Sequence, residues 1–248
     1  MLKFDGLILD LDGVVWVGPN VVPGAVAAMD ELRARGVKFV FLTNDPRDSR
    51  AEYAARLRAL GVAVDESEIV TSGSALASVV REREGEGTTA FVIGSPSLKA
   101  EVVAVGGHEG FDYDELRIAT QALRRGARLY AAGRDATFPM PDGPWPGTGA
   151  VIAAVEVAGG REAVAVGKPE PAILEIARSL LGDCSRIAVV GDNLASDIAG
   201  GHRAGLTTIL VLTGTSSRDD IAGAEVAPDI VVPDLAALAS ASSQASEP

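Results

Sequence analysis

The feature that most constrains the fold of this chain is the alternation of short apolar runs with helix-like stretches along its 248 residues. The runs LILD, VKFVFLT and RIAVVGD are typical of buried strands, and the stretches between them, such as PGAVAAMDELRARG, are typical of helices. Strands that alternate with helices are typical of α/β proteins with a mainly parallel sheet. The alternation therefore predicts an α/β fold.

The middle of the chain interrupts this pattern. EGEGTT is a polar, glycine-bearing segment that we interpret as a hinge, and the stretches that follow it read as a smaller α/β unit. The larger pattern resumes at AVAVGKPEP. We therefore predict a Rossmann-like, doubly wound parallel-sheet core from residues 1–82 and 165–248, and an inserted α/β domain at residues 83–164.

The composition limits the partners and the compartment. The formal net charge of −12 argues against nonspecific binding to nucleic acid or to an anionic membrane, because both would repel the protein. Cys184 is the single cysteine, so an intramolecular disulfide is impossible and a reducing setting is the simpler interpretation. The sequence shows no secretory leader and no apolar run of membrane-spanning length, so we expect a cytoplasmic protein.

The first apolar run ends in two acidic residues. In LILDLDGVV, Asp10 and Asp12 stand two residues apart, so their side chains would point to the same side of a continuing strand. Two like charges at that spacing need a partner, and no lysine or histidine is nearby in the sequence. The remaining explanations are a metal ion, a shared proton, or a bend at Gly13 that redirects one carboxylate.

Polar residues also follow other predicted strands, where an open α/β sheet has its ligand crevice. The whole set is Asp10, Asp12, Thr43, Asn44, Lys168, Asp192 and Asp197. If the strands are neighbours, carboxylates, an amine and a hydroxyl converge at one edge of the sheet. That combination indicates a metal-assisted reaction of an anionic substrate.

Clustered carboxylate oxygens suit Mg²⁺, which takes one or two protein carboxylates together with substrate oxygens and water. We assign Asp10 and Asp192 as ligands. An aspartate beside the metal can attack phosphorus and form an aspartyl-phosphate. Lys168 and Thr43 are suited to stabilising the transferring phosphoryl group. Asp12 is placed to protonate the leaving oxygen and later to deprotonate water.

The ordered set of motifs resembles the four motifs of the haloacid dehalogenase superfamily. These motifs are DLDGV, LTN, VGKPEP and GDNLASD, in that order. The stretch PGTGAVIAAVE, together with the insert between the second and third motifs, is similar to the NagD-like and p-nitrophenyl-phosphatase-like subfamily. The resemblance covers nearly the whole chain and implies that the insert is a cap domain.

The resemblance implies a role for each motif residue. Asp10 is the expected nucleophile and Asp12 the expected general acid and base, while Thr43, Lys168 and the amide of Asn44 are expected to bind the phosphate. The expected function is therefore Mg²⁺-dependent hydrolysis of a small-molecule phosphomonoester.

The resemblance also extends the expected metal site. Asp10 and Asp192 are the expected side-chain ligands of Mg²⁺, and Asp12 is expected to bind the metal through its backbone carbonyl. Asp197 is expected to support the metal or its waters. Relatives in this family also include homodimers formed through the cap, which makes such a dimer an expectation for this chain.

Two positions depart from the family pattern. Asp45 stands where relatives commonly have asparagine, which adds a negative charge near the expected phosphate site, and AAGRD stands where relatives often have a Thr-Asn-x-Asp pattern. We predict that Arg134 and FPMPDGPWPGTG, which we interpret as a long proline-bearing loop, contribute to substrate selection. Arg134 could pair with a substrate carboxylate, and structural packing is the alternative role for both.

Other functions stay open at this point. A haloacid dehalogenase would use the same kind of attacking aspartate at carbon and would not need Mg²⁺. A noncatalytic sensor could keep the fold and bind a phosphorylated ligand. GTGAVI lacks the third glycine and the preceding strand of a dinucleotide-binding motif, so NAD binding is rejected.

Overall fold

The computed structural model describes residues 4–93, 102–106, 110–140 and 143–243. The chain forms two compact units. The first comprises Met1–Thr43, Arg50–Val70 and Lys168–Pro248, and the second comprises Asn44–Ser49 and Thr71–Gly167.

The strands and helices alternate along the described residues. The strands are β1 (Gly6–Asp10), β2 (Trp16–Val17), β3 (Asn20–Val21), β4 (Lys38–Thr43), β5 (Ile69–Thr71), β6 (Ala90–Val92), β7 (Val102–Val105), β8 (Arg128–Ala131), β9 (Thr137–Met140), β10 (Gly143–Pro146), β11 (Val164–Ala165), β12 (Ile187–Gly191), β13 (Thr207–Val211) and β14 (Ile230–Val232). The helices are α1 (Ala25–Ala34), α2 (Arg50–Ala59), α3 (Ser72–Glu84), α4 (Tyr113–Arg124), α5 (Thr148–Gly159), α6 (Pro171–Leu180), α7 (Ala199–Arg203) and α8 (Leu235–Ser243). None of the described helices has the length and apolar character that crossing a membrane requires.

The first unit contains a six-stranded sheet in the order β14-β13-β12-β1-β4-β5. β1 pairs in parallel with β4 on one side and with β12 on the other, which places Asp10 opposite Leu42 and Leu9 opposite Val190. The chain therefore winds outward from β1 in both directions, as in a Rossmann-type sheet, and the switch point lies between β1 and β12. The predicted doubly wound α/β core is confirmed.

The core of this unit explains why its strands read as continuous apolar runs. Every residue of β1 and of β12 is buried, as expected for parallel strands that are covered on both faces. Leu7 and Leu9 pack in one cluster with residues of α1 and α8, such as Met29 and Leu238. Because side chains alternate between the two faces of a strand, the other face of the sheet is available to α6, and α6 contacts β1 and β4.

The second unit contains a four-stranded sheet in the order β11-β8-β7-β6, and its neighbouring strands are parallel. Helices α4 and α5 contact each other, and both contribute to one apolar cluster with the sheet. The cluster includes Phe91, Val103, Leu129 and Leu123. This unit therefore has an α/β core of its own.

One local prediction was wrong. The stretch FPMPDGPWPGTG, predicted to be a long loop, contains β9 and β10, which pair antiparallel with Pro139 opposite Pro144. Both strands of a two-stranded ribbon are edge strands, so a proline can lie on the side where no ladder hydrogen bond is needed. The residues between these strands, Pro141 and Asp142, lie outside the described residues.

Candidate active site

The polar residues of the first unit lie at the carboxyl ends of neighbouring strands. Asp10 is the last residue of β1, Thr43 is the last residue of β4, and Asp192 directly follows β12. All three side chains are buried. Because β1 lies between β4 and β12, the sheet brings these three strand ends to the switch point, where an open α/β sheet binds its ligands.

Lys168 joins two of the carboxylates. Its side chain is only 2% exposed, and its Nζ lies 2.9 Å from Asp10 Oδ1 and 2.5 Å from Asp197 Oδ1. Lys168 lies just before α6, and Asp197 lies in a π-helical turn, Leu194–Ile198, just after β12. The second oxygen of Asp197 accepts a hydrogen bond of 3.1 Å from the backbone N–H of Asn193. Asp197 therefore holds the ammonium group beside Asp10.

The cluster carries more negative than positive charge. Asp10, Asp192 and Asp197 each offer an oxygen within 4.8 Å of the others, and Lys168 contacts two of them, Asp10 and Asp197. Burial raises the pKa of Asp10 well above its usual value, and the neighbouring carboxylates of Asp197 and Asp192 raise it further. Burial and Asp197 likewise raise the pKa of Asp192.

The surroundings of Lys168 favour its charged form, whereas those of Asp10 and Asp192 favour the neutral carboxyl group. Burial alone would lower the pKa of Lys168, but the charges of Asp10 and Asp197 outweigh burial and hold its pKa above the ordinary value. Lys168 is therefore a permanent cation at neutral pH. Three ionised carboxylates would exceed it in charge, so the cluster favours either a bound proton or a further cation. Their oxygen atoms fit a hard divalent metal ion.

Glycines leave the space in which the Asp192 carboxylate sits. Gly13 has φ +78°, and a Cβ at Gly13 or Gly214 would overlap the Asp192 side chain. The backbone N–H of Thr215 donates a 2.5 Å hydrogen bond to Asp192 Oδ2, and the hydroxyl of Thr213 donates to the carbonyl of Gly13. The segment after β13 therefore fixes Asp192, and the sequence interpretation missed this segment. Its signal was the hydroxyl-rich TGTS, which contains Gly214 and directly follows the run TTILVL.

Replacing Gly13 with alanine is expected to displace the Asp192 carboxylate and to weaken binding of a divalent metal. Gly36→Ala is the matched control, because Gly36 has a similar φ of +83° and an added Cβ there meets nothing within 4 Å. Both variants pay the backbone cost of a non-glycine residue at positive φ, about 1–2 kcal/mol in the free energy of unfolding. Only Gly13→Ala should also lose most of the thermal stabilisation by added metal, measured by scanning calorimetry. Equal metal responses would show that Gly13 does not position Asp192.

Asp12 differs from the other acids because it is exposed. Its carboxylate Oδ1 accepts a 2.9 Å hydrogen bond from the indole Nε1 of Trp16. The backbone turns sharply between the two residues, since the N–H of Gly13 donates to the carbonyl of Trp16 at 2.7 Å. The bend at Gly13, one of the explanations for the acidic pair, is therefore present, and Asp10 and Asp12 differ in environment.

Two of the other predicted site residues belong to the second unit. The side chain of Asn44 donates a 3.1 Å hydrogen bond to Asp135 Oδ2, and its backbone carbonyl accepts from Ser72 at 2.7 Å. Arg134 donates to Glu156 Oε1 at 2.8 Å and to the Ala163 carbonyl at 3.0 Å. The phosphate-binding role of Asn44 and the specificity role of Arg134 stay predictions.

Arg134 and Asp45 each have an oppositely charged partner in the structure. Partial burial would raise the pKa of Glu156, but hydrogen bonds from Arg134 and from the N–H of Ala163 lower it below its usual value. Asp45 accepts hydrogen bonds of 2.7 and 2.9 Å from the guanidinium of Arg47 and one of 3.0 Å from its backbone N–H. The extra negative charge of Asp45 is therefore balanced locally.

Two family models match the chain. One is described as haloacid dehalogenase-like hydrolase and matches residues 7–108, and the other is described as HAD-hydrolase-like and matches residues 165–238. Chronophin from Mus musculus is 36% identical over 243 residues, which cover 87% of this chain and 83% of chronophin.

Solved structures resemble the chain over most of its length. The p-nitrophenyl phosphatase from Archaeoglobus fulgidus has a TM-score of 0.90 and 33% identity, with 97% of this chain and 100% of that chain covered. The glycerol phosphate phosphatase from Mycobacterium tuberculosis, solved in complex with magnesium, has a TM-score of 0.88 and 32% identity, with 95% and 77% covered.

These similarities separate the three functions that the sequence left open. Both of these similar structures are phosphatases, which disfavours a dehalogenase and a noncatalytic sensor. The chain is therefore a member of the haloacid dehalogenase-like hydrolases, in the NagD-like and p-nitrophenyl-phosphatase-like subfamily, and a phosphoric monoester hydrolase.

Proposed function

We propose that the protein is a Mg²⁺-dependent phosphatase that hydrolyses a small-molecule phosphomonoester through an aspartyl-phosphate on Asp10. The observation that carries this proposal is the contact of the buried Lys168 with Asp10 inside a cluster of three carboxylates. A carboxylate that lies beside a fixed ammonium can receive a phosphoryl group whose charge the ammonium offsets.

The carboxylate cluster fits the proposed metal. Asp10 and Asp192, with the backbone carbonyl of Asp12, would hold Mg²⁺, and Asp197 would support it while it also holds Lys168. When bound, Mg²⁺ would neutralise the excess charge of the cluster and of the phosphate oxygens. The glycerol phosphate phosphatase that resembles this chain was solved with magnesium, which supports this choice of metal.

In the first proposed step, a carboxylate oxygen of Asp10 forms a bond to phosphorus as the bond from phosphorus to the ester oxygen breaks. Asp12 transfers its proton to the departing oxygen, so the product leaves as an alcohol. Lys168, the Thr43 hydroxyl and the Asn44 amide would stabilise the charge on the remaining phosphoryl oxygens.

In the second proposed step, Asp12 takes a proton from a water molecule whose oxygen attacks phosphorus. The bond between phosphorus and Asp10 breaks, inorganic phosphate leaves, and the carboxylate of Asp10 is regenerated. The exposed position of Asp12, in contrast to the buried Asp10, supports this division of roles, because the acid and base must exchange protons with product and water.

We also propose that residues 83–164 form a cap that restricts the substrate to small molecules, with Arg134 selecting acidic ones. The glycerol phosphate phosphatase among the similar structures supports a small phosphate ester. A homodimer formed through the cap stays a prediction.

Phosphate release from a panel of small phosphomonoesters tests the proposed function. The panel contains p-nitrophenyl phosphate, phosphoglycolate, glycerol phosphate, a sugar phosphate, a nucleotide and pyridoxal phosphate, each assayed with Mg²⁺ and with a chelator. We expect Mg²⁺-dependent release from at least one member and a loss of at least about 100-fold in the chelator. Undiminished turnover in the chelator would contradict the proposed metal dependence.

A second measurement tests metal binding without relying on activity. Added Mg²⁺ is expected to raise the melting temperature of the unmodified protein, because the ion binds the folded carboxylate cluster and not the unfolded chain. Asp192→Asn should reduce this shift strongly, whereas Asp183→Asn, which alters an exposed acid, should retain it. A full shift in Asp192→Asn would remove Asp192 from the metal site.

A further inference from the structure

Trp16 was not among the predicted site residues, but its side chain contacts Asp12. Trp16 begins the hairpin of β2 and β3, in which it lies opposite Val21. Its side chain is 1% exposed, yet its indole N–H reaches the carboxylate of the exposed Asp12 at 2.9 Å. A buried ring thus holds an acid that must meet the substrate.

Two side chains of α2 lie close to the indole ring. Its plane lies at 4° to that of Tyr53, and the two ring centroids are 6.4 Å apart. The guanidinium carbon of Arg56 lies 3.8 Å from the centroid of the Trp16 ring. The same guanidinium donates a 2.7 Å hydrogen bond to the Gly18 carbonyl, in the turn between β2 and β3. The indole N–H therefore has little freedom of direction.

The chemistry of indole makes this contact directional. An indole N–H donates a hydrogen bond and cannot accept one. The oxygen of Asp12 that it contacts must therefore act as an acceptor. The carbonyl oxygen of a neutral carboxyl group accepts better than its hydroxyl oxygen, so the indole favours the proton of Asp12 on the other oxygen. A cation over the ring withdraws electron density from it, so Arg56 strengthens the indole as a donor.

We propose that Trp16 is a positioning residue that fixes which oxygen of Asp12 carries the proton for the leaving group, with Arg56 supporting it. This inference rests on the proposed function, in which Asp12 is the general acid. As phosphorus bonds to Asp10 and the ester bond breaks, the proton passes from Asp12 to the ester oxygen.

The test compares leaving groups in Trp16→Phe. Phenylalanine keeps an aromatic ring beside Tyr53 and Arg56 but lacks the N–H. An alkoxide leaving group needs a proton, whereas p-nitrophenolate departs without one. We expect kcat/KM for glycerol phosphate, which reports the phosphoryl transfer step, to fall about 10- to 100-fold, and that for p-nitrophenyl phosphate to change less than about threefold.

Two further variants separate positioning from folding. Arg56→Met removes the cation at an exposed position. It should also lower kcat/KM for glycerol phosphate selectively, but by a smaller factor than Trp16→Phe. Leu57→Val trims a buried residue of α2 and should affect both substrates equally, since an apolar side chain offers Asp12 no hydrogen bond. A circular dichroism spectrum of Trp16→Phe checks that the variant is folded.

The possible outcomes are distinct. A loss confined to glycerol phosphate supports the role of Trp16. An equal loss on both substrates, or no loss on either, overturns it while the proposed phosphatase function stands. Absence of Mg²⁺-dependent turnover of every member of the panel by the unmodified protein overturns the proposed function and this inference with it.

Discussion

Asp10→Asn is expected to lower kcat for any substrate of this protein by at least about 10³-fold, because the amide cannot form the proposed aspartyl-phosphate. The substitution keeps the size and shape of the side chain. It removes a carboxyl group whose pKa burial and neighbouring carboxylates raise, so the metal-free protein should not lose stability. Phosphate release and thermal unfolding of the metal-free protein check the two expectations.

The matched control for Asp10→Asn is Asp30→Asn, because Asp30 is an exposed residue of α1 at some distance along the chain from the cluster. It should retain activity within about twofold. Trapping with a radiolabelled substrate gives a second readout, since the unmodified protein should carry acid-stable label and Asp10→Asn should not. Near-normal turnover by Asp10→Asn would assign the nucleophile to another residue.

Lys168→Met is expected to lower the free energy of unfolding by about 3–5 kcal/mol, in addition to abolishing measurable turnover. Methionine has a similar length, but it leaves Asp10 and Asp197 buried without the ammonium that contacts both. Removing one partner of a buried ion pair is this costly because the remaining charges cannot be hydrated. Urea unfolding in the presence of a chelator measures the effect, since a bound metal would replace part of the lost charge.

The cost of Lys168→Met should depend on pH. The pKa values of Asp10 and Asp192 in the folded protein lie above the value of about 3.9 in the unfolded chain. Loss of the ammonium beside Asp10 should raise the pKa of Asp10 in the folded protein further. A raised carboxyl pKa costs stability above the unfolded value, because the folded protein must then either hold a proton or bury a charge. The destabilisation should be full near neutral pH and shrink as the pH falls toward about 4.

A double variant tests whether an uncompensated carboxylate causes the destabilisation. Combining Lys168→Met with Asp197→Asn removes one uncompensated charge, so it should recover at least about 1 kcal/mol of the lost stability. Turnover should not return, because the ammonium beside Asp10 is still missing. Unchanged stability in Lys168→Met would show that the carboxylate cluster does not depend on this cation for its stability.

The sequence by itself determined the sheet and the polar strand ends. The runs that became β1, β4 and β12 are apolar at every position that must be buried from both faces, and the polar residue that closes each run marks the point where the strand leaves the core. Local patterning is sufficient for this because burial acts on each strand independently. The family motifs then predicted roles for Asp10, Lys168 and Asp192, and these roles stay predictions.

Only the tertiary structure decided which groups meet. Lys168 is 158 positions from Asp10 in the numbering, and its contact with Asp10 and Asp197 follows from the sheet order and not from any local pattern. The indole of Trp16 at Asp12 depends on a tight turn that Gly13 permits. The conformation of β7 depends on its pairing with β8, which lies far along the sequence. Strands β9 and β10 pair with each other, and they were missed because their prolines indicated a loop, since proline is depleted in strands.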